Sequence, residues 1–382
     1  MTLPSNIMRR LAFRRRLFLI CFVVCLVALA AIPMGAALSL DGWTALKVSF
    51  FALSLVLLTQ VAFGFAGAAI GWWVLRFVRD PVRINGQTPS VDLSAELPAV
   101  AIVMPVYNED VSRIFQGLRR MYESLEKTGR AAAFDFFMLS DTNDANCWVA
   151  EEKAWFELCR RVHGFGRIFY RNRRVPLHNK SGNIADFCRH WGARYRYMIV
   201  LDADSVMTGA SFVQMARLME QHPRVGIIQT SPRPVLGKSL FQRMEQFAAR
   251  VYRPVFAAGA NFWQLGDATF WGHNAIVRLK PFMRFCAMPE LPDVGPLGTR
   301  VLSHDTIEAA LIRRAGYEVW QGYDVEGSYE ESPPHLLAGL QRDPAPRLHH
   351  AGPRADAKSK ARKTDLPLRG LICHCFLSLL PW

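Results

Sequence analysis

Tyr197-Met-Ile-Val-Leu-Asp-Ala-Asp204 is an uninterrupted apolar run that ends on two acids one residue apart. Such a run, with no polar alternation, is what a strand buried on both faces requires. Two carboxylates that close together in an extended segment can face the same divalent ion. Mg²⁺ or Mn²⁺ favours hard oxygen ligands and commonly bridges carboxylates to phosphates. A solvated loop after a strand would carry the same residues, so the neighbouring sequence has to decide.

Working outward, the pattern repeats. Ala99-Val-Ala-Ile-Val-Met104 is apolar and runs into Pro105-Val-Tyr-Asn-Glu-Asp110. Phe134 to Leu139 ends at Ser140-Asp141, and Arg167 to Tyr170 is a short strand. Helix-like stretches lie between them: one reaching about Lys127, one over Glu151–Val162 and one over Asn183–Ala193. Alternating strands and helices predict a doubly wound α/β layer. Ligands bind such layers at the edge where the strands end. Tyr107, Asn108, Glu109, Asp141, the basic loop before Gly182, and Asp202 with Asp204 all belong to that rim.

His178-Asn-Lys-Ser-Gly-Asn183 precedes one predicted helix. Lys180 can neutralise a phosphate and Gly182 admits close backbone approach. An ordinary helix start capped by Ser181 or Asn183 explains the same residues, and helix N-termini also favour anions. Arg171, Arg173 and Arg174 fit either a solvated face or the site. Trp271-Gly-His-Asn-Ala275 is a turn before an apolar strand and can line a sugar pocket. The aromatic run Phe262, Trp263, Phe270 and Trp271 suits core packing or stacking on sugar rings. Ser303-His304-Asp305 opens a helical pattern over Thr306–Arg314. There Asp305 can serve as a general base or as a routine helix-start acid, with His304 beside it.

The amino-terminal part has another character. Hydrophobic residues make up 51% of the 382 residues and concentrate before position 80. Leu17–Leu40 and Val48–Leu75 carry no charge, and each exceeds the roughly 20 residues that cross a bilayer core. A cleaved leader could explain the first, but a second span follows it closely. Arg9, Arg10, Arg14, Arg15 and Arg16 precede the first run, and Arg76, Arg79 and Arg83 follow the second. The positive-inside rule then puts both ends in the cytoplasm, with Trp72 and Trp73 at the interface. The net charge of +14 suits anionic lipid and phosphate groups. No nucleic-acid-binding motif and no P-loop appears, and the eight cysteines form no CxxC pair, which suits reduced thiols in a cytosolic setting. The Cys373-His374-Cys375 triplet is too short to make a tetrahedral metal site alone.

Taken together, these motifs resemble the membrane-embedded family 2 glycosyltransferases, the group that contains cellulose and hyaluronan synthases, and within it the enzymes of periplasmic glucan synthesis. The residues that carry the likeness are Met104–Asp110, Ser140–Asp144, His178–Asn183, Asp202–Ser205, Gly272–Ala275 and Leu302–Glu308, in order over residues 15 to 343. The resemblance implies a GT-A fold, a UDP-glucose donor, a growing glucan acceptor and a divalent metal (Mg or Mn). It implies uridine contact by Pro105, Tyr107, Asn108, Glu109 and Asp141, and metal-diphosphate contact by Asp202 and Asp204. Lys180, Gly182 and Asn183 fall on the donor side. Asp305 is implied as catalytic base, assisted by His304, in an inverting hexosyl transfer that builds a β-linked glucan with a β-1,2 backbone. In cellulose synthases the residue before the base is Glu; His304 here favours the glucan subgroup.

The expected organisation is a basic cytoplasmic segment 1–16, two transmembrane helices within 17–78, a Pro- and Gly-containing linker 79–98, a GT-A domain 99–343 and a basic tail 344–382 of disordered composition. The resemblance also implies an Arg-Trp pair and further membrane helices after Gln341-Arg342-Asp343, where this chain instead reads Pro344-Ala-Pro-Arg347. The expectation is a frameshift or truncation there that spares donor binding in part and costs polymer elongation. A metal-dependent hydrolase lacks a nucleophile setting among these residues. A non-catalytic nucleotide-sugar-binding membrane protein is the other alternative. The implied location is the bacterial inner membrane, multi-pass, with the catalytic domain in the cytoplasm and membrane lipid around the spans.

Overall fold

The computed structural model describes residues 5–78, 80, 82–85, 96–287 and 304–333. The expected break at residue 343, the 344–382 tail, the Cys373-His374-Cys375 triplet, Ser303 and most of the expected linker lie outside these residues. The chain begins with helices α1 (Ser5–Ser39) and α2 (Ala45–Trp73), the latter running on into a π turn at Val74–Val78. Lys47 donates to the carbonyls of Leu38 and Gly42 at the end of α1 (3.0 and 3.1 Å), and Thr44 caps the start of α2. Both helices are long and apolar enough to cross a membrane. Their large side chains face outward: Leu29 is 74% exposed, Leu46 80% and Val61 70%. A helix from a soluble core would bury these groups, so the pair suggests association with a membrane.

The rest of the described chain follows in order: β1 (Val100–Val106), α3 (Val111–Glu126), β2 (Phe134–Ser140), α4 (Ala145–Arg161), β3 (Ile168–Asn172), α5 (Asn179–Trp191), β4 (Tyr197–Val200), β5 (Val206–Met207), α6 (Gly209–Gln221), β6 (Val225–Thr230), β7 (Arg233–Val235), α7 (Leu240–Gln264), β8 (Ala275–Arg278), α8 (Leu279–Phe285), α9 (His304–Arg314), β9 (Glu318–Gly322) and β10 (Ser328–Glu331). The main sheet has the order β3-β2-β1-β4-β8-β6-β9, and β5, β10 and β7 form a small second sheet. Core strands β1, β2 and β4 are buried on nearly every residue, which is why they read as continuous apolar runs.

The layer is mixed rather than wholly parallel. β8 runs antiparallel to both β4 and β6, with Ala275 opposite Val200 and Gln229. A parallel strand delivers the loop after it to the ligand edge, whereas β8 delivers the loop before it. That reversal brings Trp271–Asn274 to the rim beside the end of β4.

Two predicted helix starts were late. α4 begins at Ala145, because the Asp144 carboxylate accepts from the N–H groups of Asn146 and Cys147 (2.8 and 3.0 Å). α5 begins at Asn179, directly after left-handed backbone at His178, with no side-chain cap bond. Neither Ser181 nor Asn183 caps it; Ser181 donates back to the His178 carbonyl at 2.9 Å.

The basic segment before the first span is part of α1 and docks on the α/β layer. Met8 and Ala12 join its core. Arg15 makes a two-pronged pair with Asp80 (2.6 and 3.0 Å) and lies over the Phe262 ring at 4.4 Å. Arg16 reaches Asp267 at 2.6 Å and the Trp263 carbonyl at 3.0 Å. These two arginines therefore hold protein partners, in place of the lipid contacts that their position before an apolar span suggests. Behind them α7 packs against α2, where Trp263 meets Phe63 edge to face at 6.0 Å. Phe262 and Trp263 are thus packing residues of the helix contact, and Phe270 is buried in the core; of the aromatic run, Trp271 alone sits half-exposed at the rim.

Candidate active site

Two loops make one end of the rim. After β1 the chain turns at Asn108, whose φ of 52° is left-handed backbone that Asn tolerates better than most residues. The Asn108 N–H donates to Thr142 Oγ1 at 3.1 Å and its side-chain amide to Asn143 Oδ1 at 2.7 Å. Its Oδ1 accepts from the N–H groups of Asn143 and Asp144, both at 3.3 Å. Asn108 therefore staples the loop after β1 to the loop after β2. Pro105 lies in β1 opposite Leu139, Tyr107 is 55% exposed above this junction, and Glu109 is exposed beside it.

Asp141 is buried at the end of β2 and takes a two-pronged contact from Arg173, with Nε at 2.9 Å and Nη2 at 2.7 Å. The same Nη2 donates to the Asn179 carbonyl at 3.2 Å, so Arg173 ties the strand end to the start of α5. Among the three upstream arginines it is the one that reaches a site carboxylate. Arg171 instead pairs with Asp186 and Asn183, and Arg174 is exposed.

Asn183 and Gly182 turn out to shape the site from behind. Asn183 is buried and donates to the Leu139 carbonyl at 2.9 Å. A Cβ at Gly182 would fall 2.0 Å from the Leu177 carbonyl oxygen, so its glycine is required by its own loop. Lys180, in the first turn of α5, does reach the rim. Its ammonium donates to Asp202 Oδ1 at 2.5 Å and to the Gly272 carbonyl at 2.8 Å.

At this second end Asp202 and Asp204 are half-buried in the turn after β4, which Ser205 closes by donating from its N–H to the Asp202 carbonyl at 3.1 Å. The pair offers hard carboxylate oxygens next to a cation, a donor set suited to Mg²⁺ or Mn²⁺ carrying phosphates. Gly272 has φ +81°, and a Cβ there would lie 2.2 Å from Asp305 Oδ1. One residue thus touches Lys180 through its oxygen and Asp305 through its α-carbon. The turn is held from below by Gln229, fully buried at the end of β6. Its Nε2 donates to the His273 carbonyl and its Oε1 accepts from the Trp271 N–H, both at 2.9 Å.

Asp305 opens α9. His304 Nδ1 lies 2.9 Å from Asp305 Oδ1, at ion-pair distance without hydrogen-bond alignment, and 3.3 Å from Glu308 Oε1. Burial by itself pushes the His304 imidazole down, but Asp305 and Glu308 outweigh it and hold it up at about 9. Burial, ahead of the opposing pull of His304, pushes the Glu308 carboxyl up. These three residues also place three potential ligand atoms within 4.8 Å of one another. A shared proton on His304 accounts for that grouping, and a metal there would have to displace it.

Sequence reasoning missed Glu151 and Gln229, and it gave Glu308 no role of its own although that residue closes the Leu302–Glu308 motif. Gln229 had a visible signal, since Gln229-Thr230 ends the buried run of β6. The other two lie inside helices at positions that read as surface.

A mixed sheet with acids, a lysine and a glycine turn along one rim defines a GT-A-like α/β domain, preceded by two apolar helices. Residues 101–285 match Glycosyl transferase family 2, so the chain carries a domain of that family. It is 46% identical over 363 residues to the glucans biosynthesis glucosyltransferase H of Pseudomonas paraeruginosa, a match covering 89% of this chain and 42% of that protein. It is 50% identical over 330 residues to the protein of the same name from Cupriavidus pinatubonensis, covering 86% and 38% respectively. The chain therefore spans about two fifths of the length of these curated relatives. Among solved structures, a mannosyltransferase of Pyrobaculum calidifontis in complex with GDP-Man and Mn²⁺ shares the fold, with TM-score 0.51 and 18% identity over 74% of this chain and 70% of that one.

Proposed function

We propose that this chain carries the donor site and base of an inverting glucosyltransferase that uses UDP-glucose to extend a β-linked glucan with a β-1,2 backbone. The observation that carries the reading is the Lys180–Gly272–Asp305 junction. An ammonium and a carboxylate lie on two sides of one glycine, next to Asp202, which supports reading them as a phosphate-neutralising cation and a base. The curated relatives' shared name supports glucose as the sugar and a glucan as the product.

In this reading the loops at Pro105–Glu109 and at Asp141 receive the uridine. Asp202 and Asp204 would hold Mg²⁺ or Mn²⁺, which when bound supplies positive charge to the diphosphate. Lys180 adds a fixed cation where negative charge develops on the leaving UDP. The acceptor hydroxyl oxygen attacks the anomeric carbon from the face opposite UDP. The new C–O bond forms as the bond to the diphosphate oxygen breaks, UDP leaves with the electron pair, and the hydroxyl proton passes to Asp305. His304, held protonated, sets a positive charge beside Asp305. The two apolar helices are read as spans of a bacterial inner membrane, crossing in a multi-pass arrangement that leaves the α/β domain in the cytoplasm beside its nucleotide sugar.

The test is calorimetric binding of UDP-glucose to the detergent-purified chain with and without Mn²⁺ or Mg²⁺, followed by transfer of radiolabelled glucose in membranes. Metal-dependent UDP-glucose binding that disappears in Asp202→Asn is expected. Preferential binding of GDP-mannose would overturn the donor assignment. Binding without transfer to any acceptor would select a nucleotide-sugar-binding role instead.

A further inference from the structure

Glu151 is a carboxylate with no solvent exposure, in the middle of α4. It accepts from Ser140 Oγ at 2.7 Å, from Thr142 Oγ1 at 2.6 Å and from the Tyr170 hydroxyl at 2.9 Å. A buried charge is costly unless it is fully hydrogen-bonded, and three hydroxyl donors meet that demand. Replacing it by an apolar residue would be the simpler way to fill a core position, so its placement calls for a use.

The bonds point to one. Ser140 and Thr142 flank Asp141, so Glu151 grips the chain on both sides of that residue. Because Thr142 donates its hydroxyl proton to Glu151, its oxygen is turned to accept the Asn108 N–H at 3.1 Å. Asn108 in turn staples the Tyr107 loop. Tyr170, whose hydroxyl is pushed up by burial ahead of its bond to Glu151, stays a donor throughout the neutral range. Asn172 joins the same group through its amide, which donates to Ser140 Oγ at 3.3 Å and to the Thr142 carbonyl at 3.2 Å.

We propose that Glu151 is a positioning residue for the nucleoside end of the donor site, acting through the Thr142 hydroxyl to fix the Asn108 loop and through Ser140 to fix Asp141. The proposal rests on the reading that these two loops receive the uridine. It does not involve the Asp202–Lys180 end, and that separation makes it testable without turnover. A glutamine keeps the shape of Glu151 but offers a single acceptor atom to three hydroxyls, so the relay through Thr142 fails.

The experiment compares the affinity of the purified chain for UDP and for inorganic pyrophosphate, both with Mn²⁺, in the unchanged protein and in Glu151→Gln, Thr142→Val and Thr142→Ser. Glu151→Gln and Thr142→Val are expected to weaken UDP about ten-fold, the scale of one hydrogen bond. Pyrophosphate binding should stay unchanged, and Thr142→Ser should restore UDP. If both ligands weaken alike, Glu151 merely supports the fold and the proposal falls; it falls equally if UDP binding is unaffected. If the unchanged protein binds UDP no tighter than pyrophosphate, the uridine reading of these loops is itself wrong, and the inference goes with it.

Discussion

Gly272 and Asp305 meet so closely that a single methyl group on the glycine would overlap the carboxylate, 2.2 Å from Oδ1 and 2.6 Å from Oδ2. The glycine also has φ +81°, a region L residues rarely adopt. Gly272→Ala must therefore move Asp305 as well as strain the turn. A displacement of about 1 Å at a reacting group can cost about 100-fold in rate. Transfer by Gly272→Ala should drop by at least that factor while Mn²⁺-dependent UDP binding persists. Near-normal transfer would show that Asp305 need not occupy this position.

Lys180 spans the gap between α5 and the two loops, bonded to Asp202 and to the Gly272 carbonyl. Lys180→Met keeps its length and removes the charge. UDP-glucose affinity in Mn²⁺ should fall by about ten-fold or more, since charge-assisted bonds are worth roughly twice neutral ones. Lys180→Arg should not restore it, because a planar guanidinium cannot replace a compact ammonium in a space shaped by Gly272. Full rescue by arginine would argue that only long-range charge matters here.

Much of this rim was legible in the sequence, and the misses have physical causes. The strand ends at Met104, Ser140 and Leu201 stood out because buried parallel strands need unbroken apolar runs. The direction of β8 was not legible, since three apolar residues before Arg278 carry no signal of strand direction. The start of α5 was hidden because its boundary is set by left-handed backbone at His178 rather than by a capping side chain. Arg15 and Arg16 carried a topology signal that masked their second use, for Asp80 and Asp267 lie 65 and 251 residues away. Glu151 was hidden for the opposite reason: an acid in a helix, here followed directly by Glu152, ordinarily points to water.

His304 gives the site a pH dependence whose sign can be worked out. Its ordinary value is 6.5, and the Asp305 and Glu308 carboxylates overcome burial to hold it up at about 9. The charged form therefore contributes stability in full below about 6.5; the contribution declines as pH rises and is gone above about 9. Glu308→Gln removes one of the two anions and should bring the His304 titration down toward its ordinary value. Imidazole NMR of the purified chain would follow this directly. A His304 signal titrating near 6.5 in the unchanged protein would remove the imidazolium from the proposed mechanism.

The contact between α2 and α7 offers a test in which two glycines of one helix should behave differently. Gly67 and Gly71 are four apart on α2, the spacing that lets apolar helices approach through small residues. A Cβ at Gly71 would fall 1.8 Å from the Val255 carbonyl oxygen of α7, whereas one at Gly67 meets nothing within 4 Å. Gly67 nevertheless takes part in the contact through its carbonyl, which lies 2.1 Å from a Cβ placed on Gly259. Composition and spacing alone would give the two α2 glycines equal weight. The geometry predicts that Gly71→Ala forces the helices apart and costs about 1–3 kcal/mol, as overpacking does, with Gly259→Ala behaving the same way. Gly67→Ala should be neutral or slightly stabilising, because alanine favours helix and fills open space. Thermal unfolding of the three variants in detergent would separate them. Equal loss at Gly67 and Gly71 would mean that the helices pack through a different face.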